Sequence, residues 1–200
     1  MNMAIEPVPF AAFRLTICGI PELDEHCAAG VTHVLSILAP EMDDPPAFDA
    51  FSPHRRLTLR FHDIIEPLPD RLAPARADVE RLLAFGSELG DARGAHLLIH
   101  CQAGVSRSTA AAALILMQAR PDRPAREALE AVSQIRPRAW PNLRILEFGD
   151  QLLGRNGEIV AAVAAIYRRV LEREPALQDA MVDGGRAREV LAALSATNRD

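Results

Sequence analysis

The 200-residue chain has no lysine: all 22 of its basic residues are arginine. Mechanisms that need a primary amine, whether as a Schiff base, a lysine base or the lysine of a Walker-type loop, are therefore excluded. The same lack of lysine, set beside an excess of alanine, is the composition expected of a GC-rich bacterial genome. Aromatic residues are scarce at 4%, with Trp140 the only tryptophan and Tyr167 the only tyrosine. The longest apolar run, Ala110 to Met117, falls far short of the roughly 20 residues that cross a bilayer. The start, Met1 to Glu6, lacks the basic and apolar segments of a signal peptide. Cysteine is limited to Cys18, Cys27 and Cys101, an odd number without framework spacing, so a reducing cytoplasm is the expected compartment. Excess positive charge is missing as well. A net charge of -5 and a pI near 5.7 remove the general electrostatic case for nucleic acid or an anionic membrane as partner. Cys18, His26 and Cys27 do not have the paired spacing of a zinc site, so no metal is expected.

What is present is an ordinary globular composition, 49% apolar and 24% charged, enough for one sizeable core. A single domain is expected over 1–175, with its core across about 14–155. Residues 176–200 read as a peripheral C-terminal helix or a frayed tail. Short apolar segments at Arg14–Ile20, Val31–Leu38, Arg56–Phe61 and His96–His100 predict strands. Between and after them, helical spacing covers Ala77–Leu89, Ser106 or Arg107 to Ala119, Ala125–Ile135, Asn142–Leu153 and Glu158–Arg173. Strands alternating with helices imply an α/β fold with a central, mostly parallel sheet flanked by helices. Ala39 to Pro53, with Pro40, Pro45, Pro46 and Pro53, reads as a connecting loop that could form a lip of a site.

The informative stretch is His100-Cys101-Gln102-Ala103-Gly104-Val105-Ser106-Arg107-Ser108. A cysteine there ends a buried strand just before a helix begins, where backbone N–H groups of a turn and of the helix N-terminus form an anion site. Such a site favours the thiolate, the nucleophilic form. Gly104 permits the tight, left-handed backbone that the cradle needs. Arg107 can fold a bidentate guanidinium over the loop mouth toward a phosphate or sulfate.

His-Cys-(five residues)-Arg-Ser resembles the signature of the cysteine-dependent protein tyrosine phosphatases, and in particular their small dual-specificity branch. Ile135-Arg136-Pro137-Arg138-Ala139-Trp140-Pro141-Asn142 is similar to the segment those enzymes place behind the loop. The whole also resembles bacterial proteins described as predicted tyrosine phosphatases. The resemblance covers 14 to about 155 and implies a dual-specificity-phosphatase-like fold with extra C-terminal helices. It also implies an enzyme that needs neither metal nor cofactor and acts on a phosphorylated protein or a small phosphoester. In that scheme Cys101 attacks phosphorus, while Arg107 and the amides of Gln102, Ala103, Gly104, Val105 and Ser106 hold the phosphate oxygens. Ser108 would hydrogen-bond the leaving thiolate. His100 would anchor the loop and help to depress the cysteine pKa. Asn142 would prop the loop from behind, unless it is simply a helix N-cap.

The leaving oxygen needs a proton, and the resemblance places an acid well ahead of the cysteine, after a strand. Asp63 answers to that position, with Glu66 and Asp70 as competitors on the same loop and His62 as a possible orienting neighbour. Trp140-Pro141-Asn142 superficially resembles the Trp-Pro-Asp acid loop of larger phosphatases, but it follows the cysteine and Asn142 has no acid proton. With so few aromatics, the deep pocket wall of tyrosine-specific enzymes is missing or is replaced by Phe48, Phe51 or Phe61. That implies a shallower site for phosphotyrosine, with phosphoserine and phosphothreonine also open. The neutral loop residues argue against phosphoinositides. Two other readings stay open: a phosphate-binding module without activity and a sulfur transferase. Cys18 or Cys27 could act as a resolving thiol for Cys101. The oligomeric state is not legible.

Overall fold

The computed structural model describes residues 10–91 and 94–195; the Met1–Glu6 start and residues 196–200 lie outside them. Four strands, β1 (Arg14–Gly19), β2 (His33–Leu38), β3 (Arg55–Arg60) and β4 (His96–Cys101), form one sheet in the order β1-β4-β2-β3. All three pairings are parallel. β4 lies inside the sheet and is buried at every position, as its central Leu97–Ile99 stretch anticipates for a parallel strand covered on both faces. Parallel pairing brings Gly19 opposite Cys101 and gathers the strand C-termini at one edge, where open α/β sheets bind ligands.

The helices are α1 (Arg76–Ser87), α2 (Arg107–Ala119), α3 (Ala125–Ile135), α4 (Leu143–Leu152), α5 (Glu158–Arg173), α6 (Leu177–Asp183) and α7 (Ala187–Ser195). The first five match the expected segments to within a residue or two. α2 is buried from Arg107 through Met117, and its alanines keep it slim enough to pack against α1, α3, α4 and β4 at once. On α4, Gly149 completes this fit: a Cβ there would meet the Leu114 side chain at 2.2 Å. Asp150, at the end of α4, accepts from the Gly157 and Ile159 amides at 2.6 and 2.8 Å and so caps the start of α5. Among the described residues no helix is long and apolar enough to cross a membrane.

Between Pro175 and Ser195 the chain forms α6 and α7. α7 lies on α5 and buries Glu189, Val190 and Ala193. The burial of a glutamate within it already marks this segment as unusual.

Candidate active site

Cys101 closes β4 and Arg107 opens α2, so the five residues between them must turn the chain within one narrow loop. Every carbonyl of that loop is held from outside. Gln102 O accepts from Ile20 N at 3.1 Å, and Val105 O and Ser106 O accept from Trp140 N and Asn142 N at 2.9 and 3.3 Å. Arg136 takes the other two, Ala103 O at 3.1 Å and Gly104 O at 3.2 Å. Because each peptide is planar and trans, carbonyls turned outward leave the following N–H groups turned to the other side, toward the mouth. Gly104 has φ 70°, and a Cβ there would lie 2.5 Å from the Cys18 carbonyl carbon and 2.7 Å from Gly19 N. Only glycine fits that conformation and that approach.

Arg136 is itself fixed by Glu22, whose Oε1 accepts from it at 2.8 Å and whose Oε2 accepts from Gly19 N at 2.5 Å. Burial works against ionisation of Glu22, but its bonds to Arg136 and the Gly19 amide win and hold its pKa below the ordinary value. A contact between residues 22 and 136 leaves no mark in a local motif.

Cys101 is buried, and its Sγ lies 3.2 Å from Ser108 Oγ in hydrogen-bond geometry. Arg107 donates from Nη1 to Phe61 O at 2.8 Å, while its buried Nε has no partner. Both residues line a cavity of about 440 Å³ together with Asp63, Gln102, Ala103, Val105 and Ser106. Within this group the Asp63 carboxylate is held at one oxygen. Oδ1 accepts from Ser106 Oγ at 2.8 Å, Asn142 Nδ2 at 2.8 Å and Arg186 Nη1 at 3.2 Å. Of the three candidate acids, Asp63 alone lines this cavity. Glu66 pairs with Arg188, and Asp70 is exposed at the loop tip with φ 57°. His62 does not orient Asp63; it faces Glu41 at 3.1 Å and accepts from Leu72 N at 2.9 Å.

One residue combines roles that looked like alternatives. Asn142 caps α4 by accepting from Ile145 N at 3.2 Å, and its amide also donates to Asp63 Oδ1 and Ile64 O. It therefore props the Asp63 segment with its side chain and the 102–106 loop with its backbone. Ser106 precedes α2 but does not cap it; its hydroxyl goes to Asp63.

The His100 ring places Nε2 on Ser36 Oγ at 2.7 Å and lies against Phe48, with centroids 5.4 Å apart, while the adjoining Cys101 backbone works against the burial that lowers its pKa. Burial pushes its pKa down to about 4, so a neutral ring supplies no positive charge beside Cys101. Cys18 shares the His100 face of the sheet, since it pairs with His100 in register and successive side chains alternate. It packs with Leu23, Val31 and Val34, apart from the cluster that holds Cys101. Burial, followed by the nearby Glu22, raises its pKa to about 12, which makes it an inert thiol and a poor resolving partner.

The three phenylalanines do not wall the cavity. Phe48 and Phe51 pack with each other and with His54, and Phe61 belongs to the core. The loop between Pro40 and Pro53 supplies no lining residue either. The wall is instead Trp140, Val170, Leu177 and Met181, with Arg138 and Arg186 beside them. Four of these six come from residues after 153, where the motif gave no reason to look. Buried Glu189 fastens this side, accepting from Trp140 Nε1 at 2.5 Å, Leu143 N at 2.9 Å and the Arg186 fork at 2.7 Å twice. Burial would lower the Arg186 pKa, but Asp63 and Glu189 overcome it and keep the guanidinium firmly charged.

Among the described residues no group of three or more His, Cys, Asp or Glu side chains is placed to hold a metal ion. The model of the Swiss Army Knife protein, DSP-PTPase phosphatase domain, matches residues 11–144. No curated protein matches the chain. Among solved structures, human DUSP28 is 18% identical, with 76% of this chain and 97% of that one covered and a TM-score of 0.55. A mouse protein assigned to the dual specificity phosphatases, solved with zinc tungstate, is 18% identical over 81% of this chain and 96% of its own, also at 0.55. At these identities the structures speak for the fold, and that fold is the expected dual-specificity-phosphatase-like α/β one. The family model covers the strands, the phosphate loop and the start of α4, and by that match the chain belongs to the DSP-PTPase phosphatase domain family.

Proposed function

We propose that the protein hydrolyses phosphate monoesters through a phosphocysteine intermediate. The observation that carries this reading is a cysteine flanked by outward-braced carbonyls, with a buried arginine whose Nε lacks a partner, at one cavity. A bound phosphoryl group would satisfy that Nε and the loop amides together. The Cys101 thiolate attacks phosphorus as the P–O bond to the leaving group breaks, and Asp63 gives the leaving oxygen its proton. Since Oδ1 already accepts three hydrogen bonds, that proton sits on Oδ2. In the second step Asp63 takes a proton from water, the water oxygen bonds to phosphorus and the P–S bond breaks. Ser108 then donates to the departing thiolate from its present position.

The apolar wall of Trp140, Val170, Leu177 and Met181 suits the ring of phosphotyrosine or another aryl phosphate better than a short seryl ester. The test is p-nitrophenyl phosphate hydrolysis in reductant and EDTA by wild type, Cys101→Ser and Asp63→Asn. Turnover by wild type and none by Cys101→Ser supports the mechanism. An inert wild type that binds vanadate supports a binding module, and one that does neither overturns the reading of the loop.

A further inference from the structure

Arg186 occupies the turn between α6 and α7, and its position is set from two sides. Behind it, Glu189 Oε2 accepts from Nε and Oε1 from Nη2, both at 2.7 Å, while Trp140 Nε1 and Leu143 N fix Glu189 in turn. In front, Nη1 donates to Asp63 Oδ1 at 3.2 Å and Nη2 to Ser106 Oγ at 3.0 Å. The side chain is only 10% exposed. A planar fork held rigidly at its back thus reaches a carboxylate of the segment after β3 and a hydroxyl of the phosphate loop. No bond of the covalent chain relates these two segments closely; residues 63 and 106 meet through Arg186, Asn142 and their own contact. Taking the guanidinium and the Glu189 carboxylate out of water is costly, and simple closure of the fold does not require that guanidinium to face the part-exposed Asp63 carboxylate.

We propose that Arg186 is a positioning residue for the general acid, tying the Asp63 segment to the phosphate loop and leaving Oδ2 facing the leaving group. The inference rests on the assignment of Asp63 as that acid. It makes α6 and α7, which lie beyond the segment matched by the family model, a working part of the site.

The test compares Arg186→Lys, which keeps the charge but loses the fork, with Arg186→Met/Glu189→Gln, which leaves no unpaired buried carboxylate. Each is assayed alone and on the Asp63→Asn background, with p-nitrophenyl phosphate and with phenyl phosphate, whose leaving group needs the proton. Unfolding midpoints and vanadate inhibition constants are measured in parallel. The expected result is a loss of ~10-fold or more in kcat on phenyl phosphate, within ~3-fold of wild type on p-nitrophenyl phosphate, and little change in vanadate binding. On the Asp63→Asn background the same changes should add no further loss, because both act through one proton transfer. Equal losses on both substrates, losses that multiply with Asp63→Asn, or wild-type kinetics in both variants would overturn the proposal. If Asp63→Asn itself shows no leaving-group dependence while Cys101→Ser is dead, the acid assignment and the Arg186 role fall but the phosphocysteine reading stands. Turnover by Cys101→Ser overturns all three.

Discussion

The phosphate loop and the α6–α7 segment meet at Ser106, yet they are built in opposite ways. The loop is five consecutive residues between a buried strand and a buried helix, and much of its geometry follows from chain connectivity and one glycine. The α6–α7 side reaches the same place with a single arginine, 80 positions from Ser106 and 123 from Asp63. On the loop side most of the work is done by backbone groups, with the Arg136 side chain bracing two carbonyls from behind. On the other side it is done by side-chain charges that one substitution can strand. Damage to the first should therefore strike activity, and damage to the second should strike stability along with it.

The largest effect is expected from Gly104→Ala. The added Cβ meets backbone of β1, which cannot swing aside as a side chain does, so the amide cradle must open. A fall of ~10²–10³-fold in kcat/KM for p-nitrophenyl phosphate is expected, by analogy with losing an oxyanion donor. Normal kinetics would show that the loop is not held as tightly as its contacts imply. Next in size is Glu189→Ala, which leaves Arg186 Nε, Trp140 Nε1 and Leu143 N without their acceptor. Breaking a buried pair in this way costs about 3–5 kcal/mol, measurable by denaturant unfolding. The fluorescence of Trp140, the sole tryptophan, should shift as its partner disappears.

A smaller effect separates the two sides by pH. His100 lies beneath the loop with a folded pKa of about 4 against 6.5 for the free group. The fold favours its neutral form, so this stabilisation is complete above pH 6.5 and is lost as the pH falls toward 4. The loss is about 3 kcal/mol, and His100→Gln should flatten that part of the stability profile. The smallest effect is expected from Glu130→Ala. Glu130 and Arg169 form the same kind of fork as Glu189 and Arg186, at 2.7–2.8 Å, but with side chains 45% and 36% exposed. Solvent screening limits its loss to less than about 1 kcal/mol. Comparable losses for Glu130→Ala and Glu189→Ala would mean that burial is not what makes the Arg186 pair matter.

Much of this molecule is legible in its residues alone. The strands and the helices through α5 lie close to where periodicity puts them, because each is a run long enough for its buried face to dominate local alternatives. The motif singles out Cys101, Arg107 and Ser108, the family resemblance adds Asn142 and Asp63 (with Glu66 and Asp70 as competitors), and the five converge around one cavity or its support. Other expectations fail where burial and partner choice matter. His100 carries no charge because a ring under a sheet loses its water, which the letter H does not reveal. Aromatic residues suggest walls, but Phe48, Phe51 and Phe61 have packing elsewhere.

By itself, then, the sequence determined the phosphate loop: five residues between strand and helix can close in few ways, and Gly104 selects one of them. It also determined the parallel α/β frame, through hydrophobic periodicity. Only the tertiary structure decided what faces Asp63, what braces the loop through Arg136 and Glu22, and that Leu177, Met181 and Arg186 line the cavity. The physical reason is that a buried charge finds its partner by proximity and desolvation in three dimensions. Arg186 and Glu189 are separated by a single turn of chain, whereas Arg186 and Asp63 become neighbours only once the sheet, α4 and α7 have packed.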